Sequence, residues 1–301
     1  MKHQPIQVFG LGQCCLDYLT TVDSYPLPDT KCEFSEMVIQ GGGPVATAMV
    51  ALSRWGVSTA VAGVIGDDGF GSMIKTSLDE EGVDTRGLLV RKGHGSQFAF
   101  IVAEPGAGSR TVFWRRPTGP PPQPDEIDYD ILRTAEVLHT DGLFIDASLA
   151  AARAAREAGV RVVVDAGSLR DGMLDLARLS DCFIASEKFA RQLVGTENPL
   201  GACEKMAELG PRVVAVTLGS KGYVARQDDV IIEKSAYSVD VVDTTGCGDV
   251  FHAGFTFGVV KRWDVSKSLD FGAWAAAMVS TRLGGRAGIP PRERYTSNGR
   301  S

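Results

Sequence analysis

The residues best suited to chemistry lie late in the chain, in Asp243–Gly254, which reads DTTGCGDVFHAG. A strand-like run precedes this segment, and a helical pattern leaves it with Asp249 in the first turn. Gly246 and Gly248 let backbone N–H groups converge without obstruction, and the helix start adds the positive end of its dipole. The amides of this turn, including that of Cys247, could therefore bind a transferring phosphoryl group while Asp249 takes a proton from a hydroxyl.

The same turn permits two other interpretations. A glycine-rich strand-to-helix turn is often only a tight turn, and an aspartate in the first helical turn is often only a cap. A helix start also lowers the pKa of a thiol, so Cys247 could act as a nucleophile, although no histidine nearby in the sequence pairs with it. The six cysteines form no C-x-x-C pair and no zinc-binding spacing, which predicts reduced, structural thiols. The spacing alone leaves these interpretations open.

A second glycine-rich segment consists of Gly41, Gly42 and Gly43 and precedes a helical pattern. Glycines at this point would let a ligand approach the backbone closely, although an ordinary turn before a helix has the same pattern. Asp17 follows the first strand-like run. Its carboxylate could bind substrate or remain a solvated group at the end of a strand.

Three basic residues could face the cavity in which Asp17 would bind substrate: Lys31, Arg115 and Arg116. Adjacent residues of a regular strand point to opposite faces, so Arg115 and Arg116 cannot both point inward. If one of them joins Lys31, the far end of the substrate would be anionic and held by a charge-assisted pair. The alternative for each residue is protection of an exposed sheet edge, where Lys and Arg are common.

Short apolar strand patterns alternate with helical patterns, such as Pro44–Trp55 and Ala147–Ala158, along most of the chain. Strands that are apolar on both faces and flanked by helices are typical of parallel sheets. The alternation predicts an α/β fold with a doubly wound, mostly parallel sheet and helices on both faces. The predicted strands are Gln7–Gly12, Ala60–Gly66, Val160–Asp165, Cys182–Ala185 and Val213–Leu218.

Two segments interrupt this alternation. Lys31–Gln40 alternates polar and apolar residues, and Gln97–Glu104 with Thr111–Arg115 predicts a hairpin across residues 105–108. We expect a small antiparallel sheet, here called the lid, from segments at about 14–40 and 95–116 within one domain over residues 1–301. A small sheet cannot bury both of its faces alone, so the lid should cover the core and could pack on a second subunit.

The composition is that of an ordinary globular protein, with 44% hydrophobic and 23% charged residues. The formal net charge of -6 argues against nucleic-acid binding through general basicity. No apolar run is long enough for a membrane span, and the first residues lack the apolar core of a signal peptide. These features predict a cytoplasmic protein with no membrane or nucleic-acid partner.

The segment Asp243–Asp249 resembles the C-terminal signature of the PfkB (ribokinase-like) carbohydrate kinases, an Asp-Thr-Thr-Gly-x-Gly-Asp turn that forms an anion hole. The segment Gly41–Ala48 is similar to their N-terminal signature, G-G-x-x-x-N-x-A, with Ala46 in place of the asparagine. The resemblance implies a ribokinase-like fold, a sugar substrate, and ATP and Mg2+ as cofactors. It also implies that Asp249 is the catalytic base, that Asp17 binds two sugar hydroxyls, and that the lid forms a homodimer contact.

The resemblance assigns a nucleotide site as well. Thr217 and Gly219, in a turn completed by Gly222, would contact ATP together with Thr244 and the two glycines of the anion hole. The family's upstream N-x-x-E element, which helps to order magnesium and phosphates, is altered here, with Ser186 in the position of the asparagine.

Further charged residues also match the family. Relatives hold a monovalent cation near the residues that correspond to Asp243 and Thr245, which implies K+ at this position. Arg170 matches an arginine that clamps phosphate in some relatives, and an exposed arginine at a helix start is the other interpretation. The nearest likeness is to the sulfofructose kinase and ketohexokinase branch, where Lys31 matches a lysine of the sulfonate pocket.

We therefore predict an ATP-dependent kinase for a primary hydroxyl of a ketose or related furanose sugar, including one with an anionic tail such as sulfofructose. The alternatives are a kinase for a nucleoside or sugar phosphate, and a non-catalytic protein of this fold that senses sugar or nucleotide. A dinucleotide-dependent oxidoreductase is disfavoured, because Gly10 and Gly12 lack the third glycine of that motif.

Overall fold

The computed structural model describes residues 5–34, 36–104 and 109–296. Within these residues the chain forms strands β1–β13 and helices α1–α9, numbered in chain order. The helices are α1 (Pro44–Arg54), α2 (Gly69–Glu80), α3 (Tyr129–Thr134), α4 (Ile145–Glu157), α5 (Met173–Arg178), α6 (Glu187–Val194), α7 (Pro199–Ala207), α8 (Cys247–Val260) and α9 (Val265–Val279). In this part of the chain, no helix is both long enough and apolar enough to cross a membrane.

Nine strands form the core sheet: β1 (Val8–Leu11), β4 (Thr59–Gly66), β5 (Asp84–Arg91), β8 (Val137–Thr140), β9 (Arg161–Ala166), β10 (Cys182–Ser186), β11 (Val213–Thr217), β12 (Tyr223–Gln227) and β13 (Val230–Lys234). Their spatial order is β13-β12-β11-β10-β9-β8-β1-β4-β5. Neighbours from β11 to β5 are parallel, and β12 and β13 extend the edge with antiparallel pairing. The predicted mostly parallel α/β fold is confirmed.

Alternate residues of the parallel strands pack against opposite helix layers. Val8 and Val163 belong to the core that includes α1, α8 and α9, whereas Phe9 and Val164 belong to the core that includes α4, α6 and α7. Neither face of these strands meets water, which explains their continuous apolar runs. It also explains why five strands could be predicted from apolar runs alone.

The sequence patterns missed β5, β8 and the β12–β13 hairpin. Strand β8 reads Val-Leu-His-Thr, and its polar residues His139 and Thr140 are fully buried in the structure. A strand with two polar residues of four carries too weak an apolar signal for prediction.

The lid consists of β2 (Cys15–Thr21), β3 (Met37–Gly42), β6 (Phe98–Glu104) and β7 (Ser109–Arg115), in the order β3-β2-β6-β7. Its outer pairs are antiparallel as predicted, but the central pair β2–β6 is parallel. The reason is that β2 follows β1 and β6 follows β5, so both leave parallel core strands in the same direction. The predicted turn at 105–108 lies outside the described residues.

The register of the lid separates its two faces. Asp17 is paired with Gln40 and Ala99, and Ala99 with Trp114, so these four residues share one face, here called the inner face. Because side chains alternate along β7, Arg110 lies on the inner face as well. The outer face carries Met37, Ile39, Phe100 and Phe113.

The end of the chain is more ordered than its polar sequence suggests. The polar sequence of residues 291–301 predicts a frayed segment, but Tyr295 packs against Trp263, Phe271 and Trp274 and donates a hydrogen bond of 2.9 Å to Asp270. Residues 297–301 lie outside the described part of the chain.

Helix α8, which begins at the reactive turn, is held by a close crossing with α9. A Cβ added at Gly254 would lie 2.6 Å from the Cα of Gly272, and one added at Gly272 would lie 2.6 Å from the carbonyl oxygen of Phe251. The two helices can approach this closely only because both residues are glycine. The crossing therefore determines where the start of α8 lies.

We predict that Gly254→Ala lowers the free energy of unfolding by about 1–3 kcal/mol, because the added methyl group forces the two helices apart. Urea denaturation of the purified protein measures this loss. The matched control is Gly69→Ala at the start of α2, where an added Cβ meets nothing within 4 Å. Equal stability changes in the two variants would contradict the crossing argument.

Candidate active site

The reactive turn is shaped by Gly246, the N-cap of α8. Its φ of 76° is a left-handed conformation that favours glycine, and an added Cβ would clash with the Cα of Gly285. The first N–H groups of α8 have no partners within the helix, and that of Cys247 lies 3.4 Å from the carbonyl oxygen of Thr244 in the turn. The turn thus offers backbone donors at the positive end of a helix dipole.

Asp243 holds the turn against the loop that follows α9. Its Oδ1 accepts hydrogen bonds from the backbone N–H and the hydroxyl of Thr245 at 2.9 and 2.8 Å, and its Oδ2 accepts one from the backbone N–H of Gly284 at 2.8 Å. Asp243 is 2% exposed. Since both of its oxygens already accept hydrogen bonds, this geometry adds no support for the K+ ion that the resemblance places at Asp243 and Thr245.

Asp249 lies in the first turn of α8 and is half-buried. Burial and then the negative charge of Asp165 raise the pKa of Asp249 to about 7, and Asp17 acts in the same direction. The positive charges of His252 and Arg110 lower it in part. A carboxylate that gains and loses its proton near neutral pH is suited to act as a general base.

A cavity of about 640 Å³ opens beside the turn. It brings together Thr217, Gly219 and Gly222 at one end with Thr244 and Gly248 at the other, all predicted nucleotide-binding residues. Its remaining wall is mostly apolar and comes from residues that the sequence did not indicate, including Tyr223, Tyr237, Phe251, Ala273, Ala276 and Ala277. Of the predicted nucleotide set, Gly246 does not line the cavity and acts as the N-cap behind it.

Asp17 lies on the inner face of the lid, inside β2 rather than after a strand, and is 5% exposed. It accepts a hydrogen bond from the Cys15 thiol at 2.9 Å. Burial raises the pKa of Asp17, while the Cys15 hydrogen bond and the charge of Arg286 lower it. The charge of Asp17 also raises the pKa of Asp249, so the two carboxylates interact electrostatically.

Packing and backbone conformation also require glycine at the three positions before α1. A Cβ on Gly42 would clash with the Asp17 carboxylate, and one on Gly41 would clash with Arg286 and Ser77. Gly43 has a φ of 96° and is the N-cap of α1. Gly41 and Gly42 therefore make room for the buried charges of Arg286 and Asp17, respectively.

Arg110 is a candidate functional residue that the sequence analysis missed. From the inner face of the lid, its Nη1 donates a hydrogen bond to the hydroxyl of Thr244 in the reactive turn. It also lines the cavity beside Cys247 and Gly248. The signal that could have found it is its even spacing along β7 from Trp114, combined with the β7–β6–β2 register that reaches Asp17.

The other predicted basic residues are placed differently. Arg115 lies on the lid face opposite Asp17, with its guanidinium 5.1 Å from the ring centre of Phe98, so the structure does not bring it to the site. Arg116 follows β7, is exposed and lies 5.0 Å from the ring centre of Trp114. Lys31 is exposed in the connection between β2 and β3, because the strand predicted from residue 31 begins only at Met37.

Arg170 joins a buried acidic group that the sequence did not reveal. Its Nη2 donates to the carbonyl oxygen of Asp141 at 3.1 Å, and its charge lowers the pKa values of Asp141 and Asp165. The Asp141 carboxylate accepts backbone hydrogen bonds from Gln13 and Leu143, and burial raises its pKa to about 6. Arg170 is thus a neighbour of buried carboxylates rather than an exposed residue at a helix start.

The structure also bears on Cys247 as a nucleophile. Burial raises the pKa of the Cys247 thiol to about 12, an effect that Arg110 only partly offsets. A thiol in this state carries almost no thiolate at neutral pH. Cys247 therefore contributes its backbone to the turn rather than a reactive sulfur.

Comparison with known proteins agrees with this geometry. The sequence matches the family model for pfkB family carbohydrate kinases over residues 6–292, so the chain belongs to that family. It is a sugar kinase of the ribokinase-like type, a phosphotransferase that acts on a sugar hydroxyl group. Among the described residues, no group of three or more His, Cys, Asp or Glu side chains is arranged to hold a metal ion.

Its relatives carry names for different sugars. The chain is 28% identical over 285 residues to the ATP-dependent ribose-1-phosphate kinase of Halopiger xanaduensis, with 94% of each protein covered. It is 25% identical over 312 residues to fructokinase-2 of Oryza sativa subsp. japonica, with 95% of this chain and 92% of that protein covered. A solved structure of a putative ribokinase from Agrobacterium tumefaciens matches with a TM-score of 0.88 at 25% identity, over 96% of both chains.

We predict that Arg110→Ala lowers kcat by about 10²-fold, because the lid then lacks the positive charge that it brings to the reactive turn. Steady-state measurement of ADP release with Mg2+ and ATP checks this value. Arg115→Ala is the matched control, since it removes the same charge from the same strand but from the opposite face. Equal losses in the two variants, with unchanged melting temperatures, would contradict the assignment of lid faces.

Proposed function

We propose that this protein transfers the γ-phosphoryl group of ATP to a primary hydroxyl of a ketose or related furanose sugar, with Asp249 as the general base. One observation carries the proposal. Asp249 lies in the first turn of α8 directly after Gly248, which lines the cavity, and its pKa is raised by the charge of the Asp17 carboxylate on the inner face of the lid. A nucleotide on one side and a polyhydroxyl acceptor on the other would place the reacting groups at Asp249.

In this mechanism the sugar hydroxyls would donate hydrogen bonds to Asp17, which orients the acceptor. The ionised Asp249 would then remove the proton of the attacking hydroxyl as the phosphoryl group arrives. The amides of Gly246, Cys247 and Gly248 would stabilise the negative charge on the phosphoryl oxygens, and Arg110 would add a positive charge from the lid. Covering the site with the lid would exclude water that otherwise hydrolyses ATP.

Mg2+ is expected with ATP in this family. The oxygen-rich triphosphate is the kind of ligand that Mg2+ prefers, and the ion would neutralise phosphate charge during transfer. Within the chain, Glu187 beside the altered N-x-x-E element forms ion pairs with Lys221 at 3.4 Å and Arg191 at 4.0 Å. The protein would therefore bind magnesium–ATP mainly through the anion-binding turn, which would hold the phosphates of the complex.

A sugar with an anionic tail is the second candidate acceptor. Lys31, in the β2–β3 connection of the lid, and Arg116, which follows β7, are exposed, and Arg116 lies 5.0 Å from the ring centre of Trp114 on the inner face. The relative named ribose-1-phosphate kinase acts on such an acceptor by its name, whereas the relative named fructokinase acts on a neutral ketose. A panel of fructose, sulfofructose, fructose phosphates, ribose, ribose 1-phosphate and nucleosides, assayed by ADP release, separates these classes.

We predict that Asp249→Asn lowers kcat by about 10²–10⁴-fold with every accepted sugar, because the amide cannot take up the hydroxyl proton. Binding of ATP, measured by calorimetry, should change little, since the amide preserves the shape of the turn. Full turnover by Asp249→Asn would overturn the proposed mechanism. Sugar and ATP binding without ADP release by the wild-type protein would support the sensing alternative instead.

We also propose that two copies of this chain pair through the outer faces of their lids. Met37, Ile39 and Phe113 lie on this face and are 46%, 41% and 52% exposed, which is unusual for large apolar side chains on one small sheet. The face is self-complementary in chemistry, as an isologous contact requires.

The expected result is a dimer in solution that Phe113→Asp converts to a monomer, because the new carboxylates would be buried against an apolar surface. Light scattering after size-exclusion chromatography measures the mass. Val90→Asp is the matched control, since Val90 is 53% exposed on β5 of the core sheet. A wild-type monomer at micromolar concentration would rule out the dimer.

A further inference from the structure

One buried side chain of α8 has no part in the proposed transfer. His252 lies three residues after Asp249 and is 3% exposed. Its Nδ1 is 2.6 Å from the carbonyl oxygen of Gly248, and its Nε2 is 3.2 Å from the carbonyl oxygen of Ile184. The ring therefore connects the reactive turn with strand β10.

Both ring nitrogens thus face hydrogen-bond acceptors. A carbonyl oxygen can only accept, and a neutral imidazole carries a single N–H, so both contacts are made only by a ring with hydrogen on each nitrogen. A ring that makes both hydrogen bonds at once would be a cation. The Asp165 carboxylate, with its Oδ1 3.4 Å from Nε2 of His252, supplies the opposite charge.

Asp165 connects this ring with the catalytic base. It lies near the end of β9, is buried, and is the neighbouring charge with the largest effect on Asp249, whose pKa it raises. His252 acts on both carboxylates in the opposite direction and lowers the pKa of each. The His252 charge therefore offsets the effect of Asp165 at the site of proton transfer.

The other charged groups around this pair come from three directions. His139 of β8 faces the ring, and burial and the His252 charge lower the pKa of His139 to about 3, which keeps it neutral. Asp141 and Arg170 face Asp165. Asp17 and Arg110 of the lid face Asp249. In the described part of the chain, the ion pair of the His252 ring is with Asp165.

We propose, on the basis of the function proposed above, that His252 is a positioning residue for phosphoryl transfer. A cationic His252 holds the Gly248 carbonyl of the anion hole and the Asp165 carboxylate in fixed places, and its charge balances that of Asp165 beside the base. Without this ring, the effect of Asp165 on Asp249 would be offset only by the smaller effects of the Arg110 and Arg170 charges, and Asp249 would remain protonated up to a higher pH. With Asp165 neutral, Asp249 would lose its proton at a lower pH.

The test follows the carboxyl carbon of Asp249 by 13C NMR during a pH titration of the ligand-free protein, with the signal assigned by Asp249→Asn. We expect the wild-type midpoint near pH 7, a shift of about one unit upward in His252→Asn, and a shift of about one unit downward in Asp165→Asn. His252→Asn retains a donor near Gly248 but removes the charge. Unmoved midpoints, or shifts in the same direction in both variants, would overturn the proposal.

A second measurement uses only the wild-type protein. Long-range 1H–15N correlation spectra of the wild-type imidazoles report whether the His252 ring carries hydrogen on both nitrogens. We expect the cationic pattern for His252 at pH 7 and the neutral pattern for His139. A neutral His252 ring at pH 7 would refute the proposal.

The titration tests the role of His252, and the kinase assay tests the role of Asp249, so either proposal can be refuted without the other experiment. Full activity of Asp249→Asn would remove the proposed base and the positioning role with it. Loss of activity in Asp249→Asn together with unmoved titration midpoints would leave the kinase mechanism intact and remove only the role of His252. Where an acceptor is known, the pH profile of kcat/KM should move in the same directions as the NMR midpoints, because the reaction needs ionised Asp249.

Discussion

The buried carboxylate of Asp243 holds together the parts on which the site depends. Its two oxygens bind the backbone of the reactive turn and the loop after α9, while Gly246 and Gly285 bring the two backbones into contact. Further along the helix, the close packing of Gly254 against Gly272 holds α8 against α9. The direction of the first N–H groups of α8, and so the position of the anion hole, follows from these contacts.

Much of this arrangement could be predicted from the sequence because it is local. The glycines and the helix start at 243–249 lie close together in the sequence and carry the resemblance to the family to which the chain belongs, although the strand-like run that precedes them forms no strand in the structure. The five apolar strands were predictable for a similar reason, since a strand buried on both faces needs no partner to be recognised. Thr217, Gly219 and Gly222, which the family resemblance predicts to bind nucleotide, line one cavity together with Thr244 and Gly248.

The features that were missed all depend on contacts distant in sequence. Arg110 reaches Thr244 across 134 positions, and His252 reaches Ile184 across 68. Whether Arg110 or Arg115 points inward depends on strand register, and a shift of one residue would exchange the two. Asp141 follows β8 and Asp165 lies near the end of β9, and the parallel pairing of these two strands brings both carboxylates to one edge of the sheet.

The parallel pairing of β2 with β6 has a consequence for the order in which the molecule folds. Its two partners are separated by α1, β4, α2 and β5, so the central pair of the lid closes a long loop. Contacts that close long loops form late, because the loss of chain entropy precedes the gain from pairing. The core pair of β1 with β8 (Val8 with Val137) and the packing of α1 on α8 close loops that are longer still than that of the lid pair (Leu16 with Phe98). A partly folded chain would therefore contain the lid with its adjoining strands as one unit and the turn at the start of α8 as another, and the groups proposed to bind the sugar and the phosphate would come together last.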